Sequence, residues 1–328
     1  MPARAAGDAR LRTVRADFFL DPRERLTEQE RALMTAMLGD LVSMLADEFV
    51  SMMADSEAAN DEGESLVDRL WAAGLLDMPE LVQLLLHRAE EERLVAAVRA
   101  GRPAAKARLL QSLVSDPDSD VSAAAMALIL ARGRRRDRFD RPRIAFDDLP
   151  AETAVALVSA IAAALRTDLA VRFGERSADE RLSEAARELL AGHDEGNRLD
   201  ARTFALVHAL DKAGRLDDAL LRSALVEAEI ALLCETLARR AGIGFDASWT
   251  HLSGGPGKLA LLLRLAGLRR DLAGELVATL AEIVGSDAES EIQAFDSLTD
   301  CEIEDSRSWL RLNPVYRDAI GALGGGHG

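Results

Sequence analysis

Residues 107–132 read ARLLQSLVSDPDSDVSAAAMALILAR, and this stretch decides the fold class. Leu109, Leu110, Leu113 and Val114 share one face of a helix, because positions three and four apart stack on the same side. The run stops at Asp116–Pro117, where the residue before a proline is pushed out of the helical region. A second helix is predicted from Ser119 or Asp120, burying Val121, Ala124, Ala125, Leu128 and Ile129. Two short apolar rods joined by an acidic turn make a helical hairpin. The aspartates at 116, 118 and 120 alternate as in a calcium loop, but Val121 and Ala127 stand where glycine and glutamate are needed. Carboxylates just ahead of a helix are expected to cap it instead.

The rest of the chain repeats this theme. Hydrophobic residues make up 48% of the 328 residues and aromatics 4%, a balance that favours helices over strands. The first long helix opens at Thr27 and Glu30, a capping-box pair, and carries Leu33, Met34, Met37, Leu38, Leu41, Leu45, Phe49 and Met52 at helical spacing. Glycines at 74, 101, 192, 214, 242 and 267 follow apolar runs, where a residue without Cβ closes a helix. Further helices are predicted near 151–173, 178–191, 200–213, 216–240, 257–266 and 271–284, with GFDASWTHL at 244–252 as a loop and 286–309 loosely packed. The fold class expected is all-α, stacked helical hairpins in two lobes. Its parts are a flexible basic segment at 1–25, a lobe at 26–133, an Arg-rich linker at 134–150, a second lobe at 151–312 and a flexible tail at 313–328.

The formal charge is −16, from 40 basic and 56 acidic residues. Such a surface repels nucleic acid and anionic membranes. Two cysteines make no disulfide framework, and the apolar run at 154–165 is short for a membrane span. A cytoplasmic protein with no membrane partner is expected.

The segment NRLDARTFALVHALDKAGRLDDALLRSALVEAEIALLCETLARRAGI, residues 197–243, together with KLALLLRLAGLRR at 258–270 and the early LTEQERALMTAMLGDLV at 26–42, resembles an alphaproteobacterial family catalogued as a domain of unknown function. The hairpin at 107–132 is similar to a HEAT repeat, with Ser122 where such repeats often carry arginine. The resemblance implies a helical, HEAT-like protein and supplies no reaction.

Catalytic patterns do not emerge. LSGGPGKLALLL at 252–263 lacks the glycine six residues before Lys258 and the hydroxyl after it that a phosphate-cradling loop needs. The five histidines have no metal-ligand spacing, and Cys234 on an apolar face reads as an inert thiol rather than a nucleophile served by His251. No enzyme activity, cofactor or metal is expected. Two features point to interaction. Met34, Met37, Met44, Met52 and Met53 crowd the first helix and suit a partner face or a homodimer seam as well as a core. Arg132, Arg134, Arg135, Arg136, Arg138, Arg141 and Arg143 cluster in an acidic chain. They read first as a solvated inter-domain loop that pairs with the chain's own carboxylates; functionally they suit an acidic protein partner, with nucleic acid or a phosphorylated ligand bound by residues 132–143 as the alternative. The expected function is a non-catalytic protein–protein interaction or regulatory module.

Overall fold

The computed structural model describes residues 25–53, 65–101 and 108–323. The segment expected at 1–25 lies, but for Arg25, outside the described residues, and so does the acidic stretch at 55–64. The protein is all-α: sixteen α-helices and two 3-10 turns among the described residues, which form no strand. The chain divides into two compact units, residues 32–236 and the part from residue 237 onward grouped with the segment ending at Arg31.

The first unit is built on α1 (Glu28–Met52), α2 (Leu66–Ala72), α3 (Pro79–Ala100), α4 (Leu109–Val114) and α5 (Ser119–Gly133), followed by α6 (Ala151–Phe173), α7 (Glu175–Ala191), α8 (Leu199–Lys212), α9 (Asp218–Val226) and α10 (Ile230–Ala241). Thr27 and Glu30 start α1 as a reciprocal cap: the Glu30 amide donates to Thr27 Oγ1 at 3.1 Å and the Thr27 amide to Glu30 Oε2 at 2.9 Å. Phe49, Met37, Leu70, Leu81, Leu157 and Ile161 then meet in one buried core. The hairpin of α4 and α5 follows the sequence closely. Asp118 Oδ1 accepts from the amides of Asp120 and Val121, and Val121, Ala125, Leu128 and Ala131 are buried, whereas Ala124 and Ile129 are half-buried. Ser122 donates its hydroxyl to the Val114 carbonyl, tying the second rod to the end of the first. By length and composition α6 could cross a membrane, yet Ala154, Leu157, Val158 and Ile161 lie in the core. Arg69 binds Asp168 at 3.0 Å and Arg166 binds Asp179 at 2.6 Å, holding its polar second half to α2 and α7.

The predicted helix at 216–240 is two helices. Ala228 adopts φ 56°, a left-handed conformation costing roughly 1–2 kcal/mol outside glycine, and it separates α9 from α10. Tertiary contacts hold the break. Glu227 accepts from the amides of Arg108 and Leu109, capping α4 from a distance, and Glu229 pairs with Arg132.

The second unit continues from the end of α10 with α11 (Phe245–Ser253), α12 (Lys258–Leu265), α13 (Arg270–Leu280), α14 (Ala288–Ser297), α15 (Asp300–Leu310) and α16 (Pro314–Ala322). Three expectations change here. Residues 245–253 are helical, not a loop; 288–310 form two ordered helices; and 314–322 form a helix within the segment read as a tail. The last five residues lie outside the described ones. The glycine-rich turn before α12 also finds its role. Gly255 and Gly257 have φ 86° and 77°, and the N-terminus of α12 receives the carboxylate of Glu291. That carboxylate accepts from the Gly257 amide at 2.6 Å and the Ala260 amide at 2.8 Å. Glu291 is fully buried and also takes the Ser286 hydroxyl. A side chain of the protein occupies the place a phosphate oxygen would take at such a helix end.

Candidate functional site: an arginine-lined cavity and an aromatic turn

The Arg-rich segment does not link two lobes; it is packed inside the unit of residues 32–236. The reason is Arg135. Its side chain is buried, and its fork grips Asp148, with Nε at 2.8 Å from Oδ2 and Nη2 at 2.7 Å from Oδ1. The remaining donors reach the carbonyls of Ala131 and Asn197, at 2.8 and 2.7 Å. Asp148, on a 3-10 turn at Phe146–Asp148, also accepts from the amides of Ala145 and Leu199. One ion pair thus ties the end of α5, the 3-10 turn and the start of α8. Composition advertises a solvated linker; a buried guanidinium bonded at each of its nitrogens makes it a structural joint.

Between Arg136 and Pro142 the chain makes a tight turn closed by a single antiparallel bridge. Asp137 organises it. Its Oδ1 accepts from the amides of Phe139 at 2.7 Å and Arg141 at 2.8 Å, while its own amide donates to the Arg141 carbonyl at 3.0 Å. The Arg141 amide above all holds the Asp137 carboxyl below its ordinary range. Asp140 takes φ 61°, a left-handed position its short polar side chain tolerates. The outcome is an ordered tip on which Phe139 is 64% exposed. The guanidinium of Arg138 lies 4.7 Å from the ring centroid and that of Arg141 5.7 Å, within cation–π range.

Beside the turn is a cavity of about 160 Å³ on whose wall six guanidiniums converge: Arg88, Arg99, Arg132, Arg135, Arg136 and Arg143. Three carboxylates, Glu91, Glu92 and Glu229, share the wall and pair with Arg88, Arg136 and Arg132. Arg143 reaches Asp40 at 3.2 Å. Burial opposes the charge on Glu91, but Arg88, His87 and Arg132 outweigh it and its pKa is lowered. Burial likewise opposes the charge on Arg88, and Glu91 and Asp148 more than restore it. Arg88 nonetheless leaves Nε buried without a hydrogen-bond partner. The strained Ala228 and the first residue of α10 line the same wall, bringing the positive end of a helix dipole to it. Five of the six arginines are paired with carboxylates of the chain.

The sequence candidates separate accordingly. Arg135 is structural, Arg136 closes the turn, Arg138 is exposed over Phe139 and Arg134 is exposed. Of the methionines, Met37 and Met53 are buried, Met34 and Met52 pack against the core, and Met44 is 42% exposed. Sequence reading missed Arg88 and Arg99, which lie on α3 far from the arginine run; only their three- and four-residue spacing with Glu91, Glu92 and Val95 hints at one charged face. No group of three or more His, Cys, Asp or Glu residues suited to a metal occurs among the described residues. Cys234 is buried in α10.

A family model described as an uncharacterised protein conserved in bacteria (DUF2336) matches residues 92–300. No curated protein and no solved structure matches the chain.

Proposed function

The chain belongs to the DUF2336 family of uncharacterised bacterial proteins, and from that premise we propose that it is a non-catalytic interaction module. Its HEAT-like helical hairpins serve as the scaffold, and the turn at 136–142 docks an acidic segment of a partner protein. The observation that carries this reading is the ordered tip itself: an exposed aromatic ring flanked by two guanidiniums on a protein of net charge −16. Exposed loops held by a rigid base are where recognition residues concentrate, and aromatic and arginine side chains anchor interfaces disproportionately. A positive tip steers toward an acidic patch on a partner. The work is done in the cytoplasm, without membrane or cofactor. Since Met37 and Met53 belong to the core, self-association through α1 is the lesser part of the proposal.

The test is quantitative capture from bacterial extract with the native chain and an Arg138→Glu/Arg141→Glu variant. Partners held by the native protein should fall at least about tenfold in the variant, the loss of one or two desolvated charge contacts. Equal capture by both overturns the proposal. A second reading, a phosphorylated ligand or RNA held by the arginines of 132–143, draws on the cavity wall and the unpartnered Arg88 Nε. Saturable, steeply salt-dependent binding of RNA or inorganic phosphate would favour it.

A further inference from the structure

The part of the chain from α11 to α16 lines a second, half-open cavity of about 990 Å³, at the upper end of the range that holds small organic ligands. Leu261, Leu298, Leu310, Leu312 and Trp309 line it together with two basic side chains, His251 and Arg317. The Nε of Arg317 is buried and has no hydrogen-bond partner. A buried guanidinium N–H without an acceptor is costly, and an acceptor from outside the protein would relieve that cost. His251 directs Nδ1–H to the Ala247 carbonyl at 2.7 Å, which leaves its Nε2 as a lone pair in the neutral ring. Burial first, and then the cations of Lys258 and Arg317, lower its pKa.

Two carboxylates line the cavity as well. Glu302 is committed to the cap of α15, accepting the Thr299 amide at 2.8 Å and its hydroxyl at 2.7 Å. Asp305 meets the Cys301 thiol at 3.7 Å. With two negative groups on the wall, a doubly charged phosphate is disfavoured and a single negative charge is tolerated.

We propose that this cavity binds a small amphipathic carboxylate, its head on the Arg317 guanidinium and its apolar body against Trp309 and the leucines. The site is independent of the arginine turn, and neither reading needs the other. The experiment titrates the full-length protein with octanoate, 1-octanol and acetate, following the His251 ring resonance by NMR, assigned through His251→Gln. Octanoate should bind saturably and move that resonance toward the protonated form, because a carboxylate set among the cations reverses their effect on the ring. Octanol and acetate should each bind at least about tenfold more weakly, and Arg317→Gln should weaken octanoate by at least about tenfold while leaving octanol unchanged, as expected for loss of a charged hydrogen bond. Leu261→Asp, which puts a negative charge on the apolar lining, should weaken octanoate binding by at least about tenfold and serves if the Arg317 variant misfolds. Octanoate that fails to saturate, binds no better than octanol, or binds the Leu261→Asp variant as tightly as the native chain overturns the proposal.

Discussion

The glycine-rich stretch at 252–263 and the arginine-rich stretch at 132–143 both look functional in sequence, and the structure treats them oppositely. In the first, the helix end that would attract an anion is filled from within by Glu291, and its amides at 257 and 260 are both satisfied. In the second, the inner arginine is consumed by Asp148 while the outer pair is turned to solvent over Phe139. A motif's chemistry is thus decided by what already sits on it. A helix N-terminus is a site only where no carboxylate of the chain reaches it. An arginine run is a site only at the residues that the fold leaves outside.

Substitutions can break this contrast, and the largest effect should come from the inner arginine. Arg135→Ala strands Asp148 as a buried carboxylate, with an expected loss of about 3–5 kcal/mol, read from denaturant unfolding. Glu291→Ala strands the buried amide of Ala260 and the half-buried amide of Gly257 and should cost about 2–4 kcal/mol. If that variant instead retained its stability and gained phosphate affinity, the glycine-rich turn would be a binding loop after all. Asp118→Ala removes the cap of α5 and should cost about 1 kcal/mol, a yardstick for an ordinary local contact.

Acid sharpens the same comparison beside the glycine-rich turn. Burial lowers the pKa of His251 below its ordinary 6.5, so the unfolded chain takes up that proton first as pH falls. The contribution of His251 is therefore complete above about pH 6.5 and is lost progressively below it. His251→Gln should flatten this part of a stability-versus-pH curve. Smallest of all, Phe139→Ala and Arg138→Ala should change stability by no more than about 0.5 kcal/mol, as for other exposed positions.

The hairpin at 107–132 was legible because apolar spacing, an Asp-Pro turn and a capping aspartate all point the same way, and their partners lie within a few residues. The missed elements depend on distant groups. Phe245–Ser253 has no long apolar stripe of its own, and its helix buries Trp249 and Leu252. The break at Ala228 carries no glycine or proline; Glu227 and Glu229 hold it through contacts with Arg108, Leu109 and Arg132, around a hundred residues away. Helices at 288–310 looked like acidic coil because Glu291, their one buried charge, reads locally as surface. The arginine cluster could be found by composition, but its division into a buried joint and an exposed tip rests on Asp148 and Asp137, whose roles only folding reveals. Arg88 and Arg99 join it from α3 for the same reason.

The claim that the outer turn, rather than the inner joint, is where this protein meets others is tested most directly by placing a photo-crosslinking amino acid at position 139 and, separately, at Val171, which is 84% exposed on α6. In living bacterial cells the position 139 probe should yield a discrete protein adduct that disappears when Arg138 and Arg141 are both changed to glutamate, and the position 171 probe should not give it. Identical adducts from the two positions, or an adduct at 139 indifferent to the charge reversal, would contradict the account.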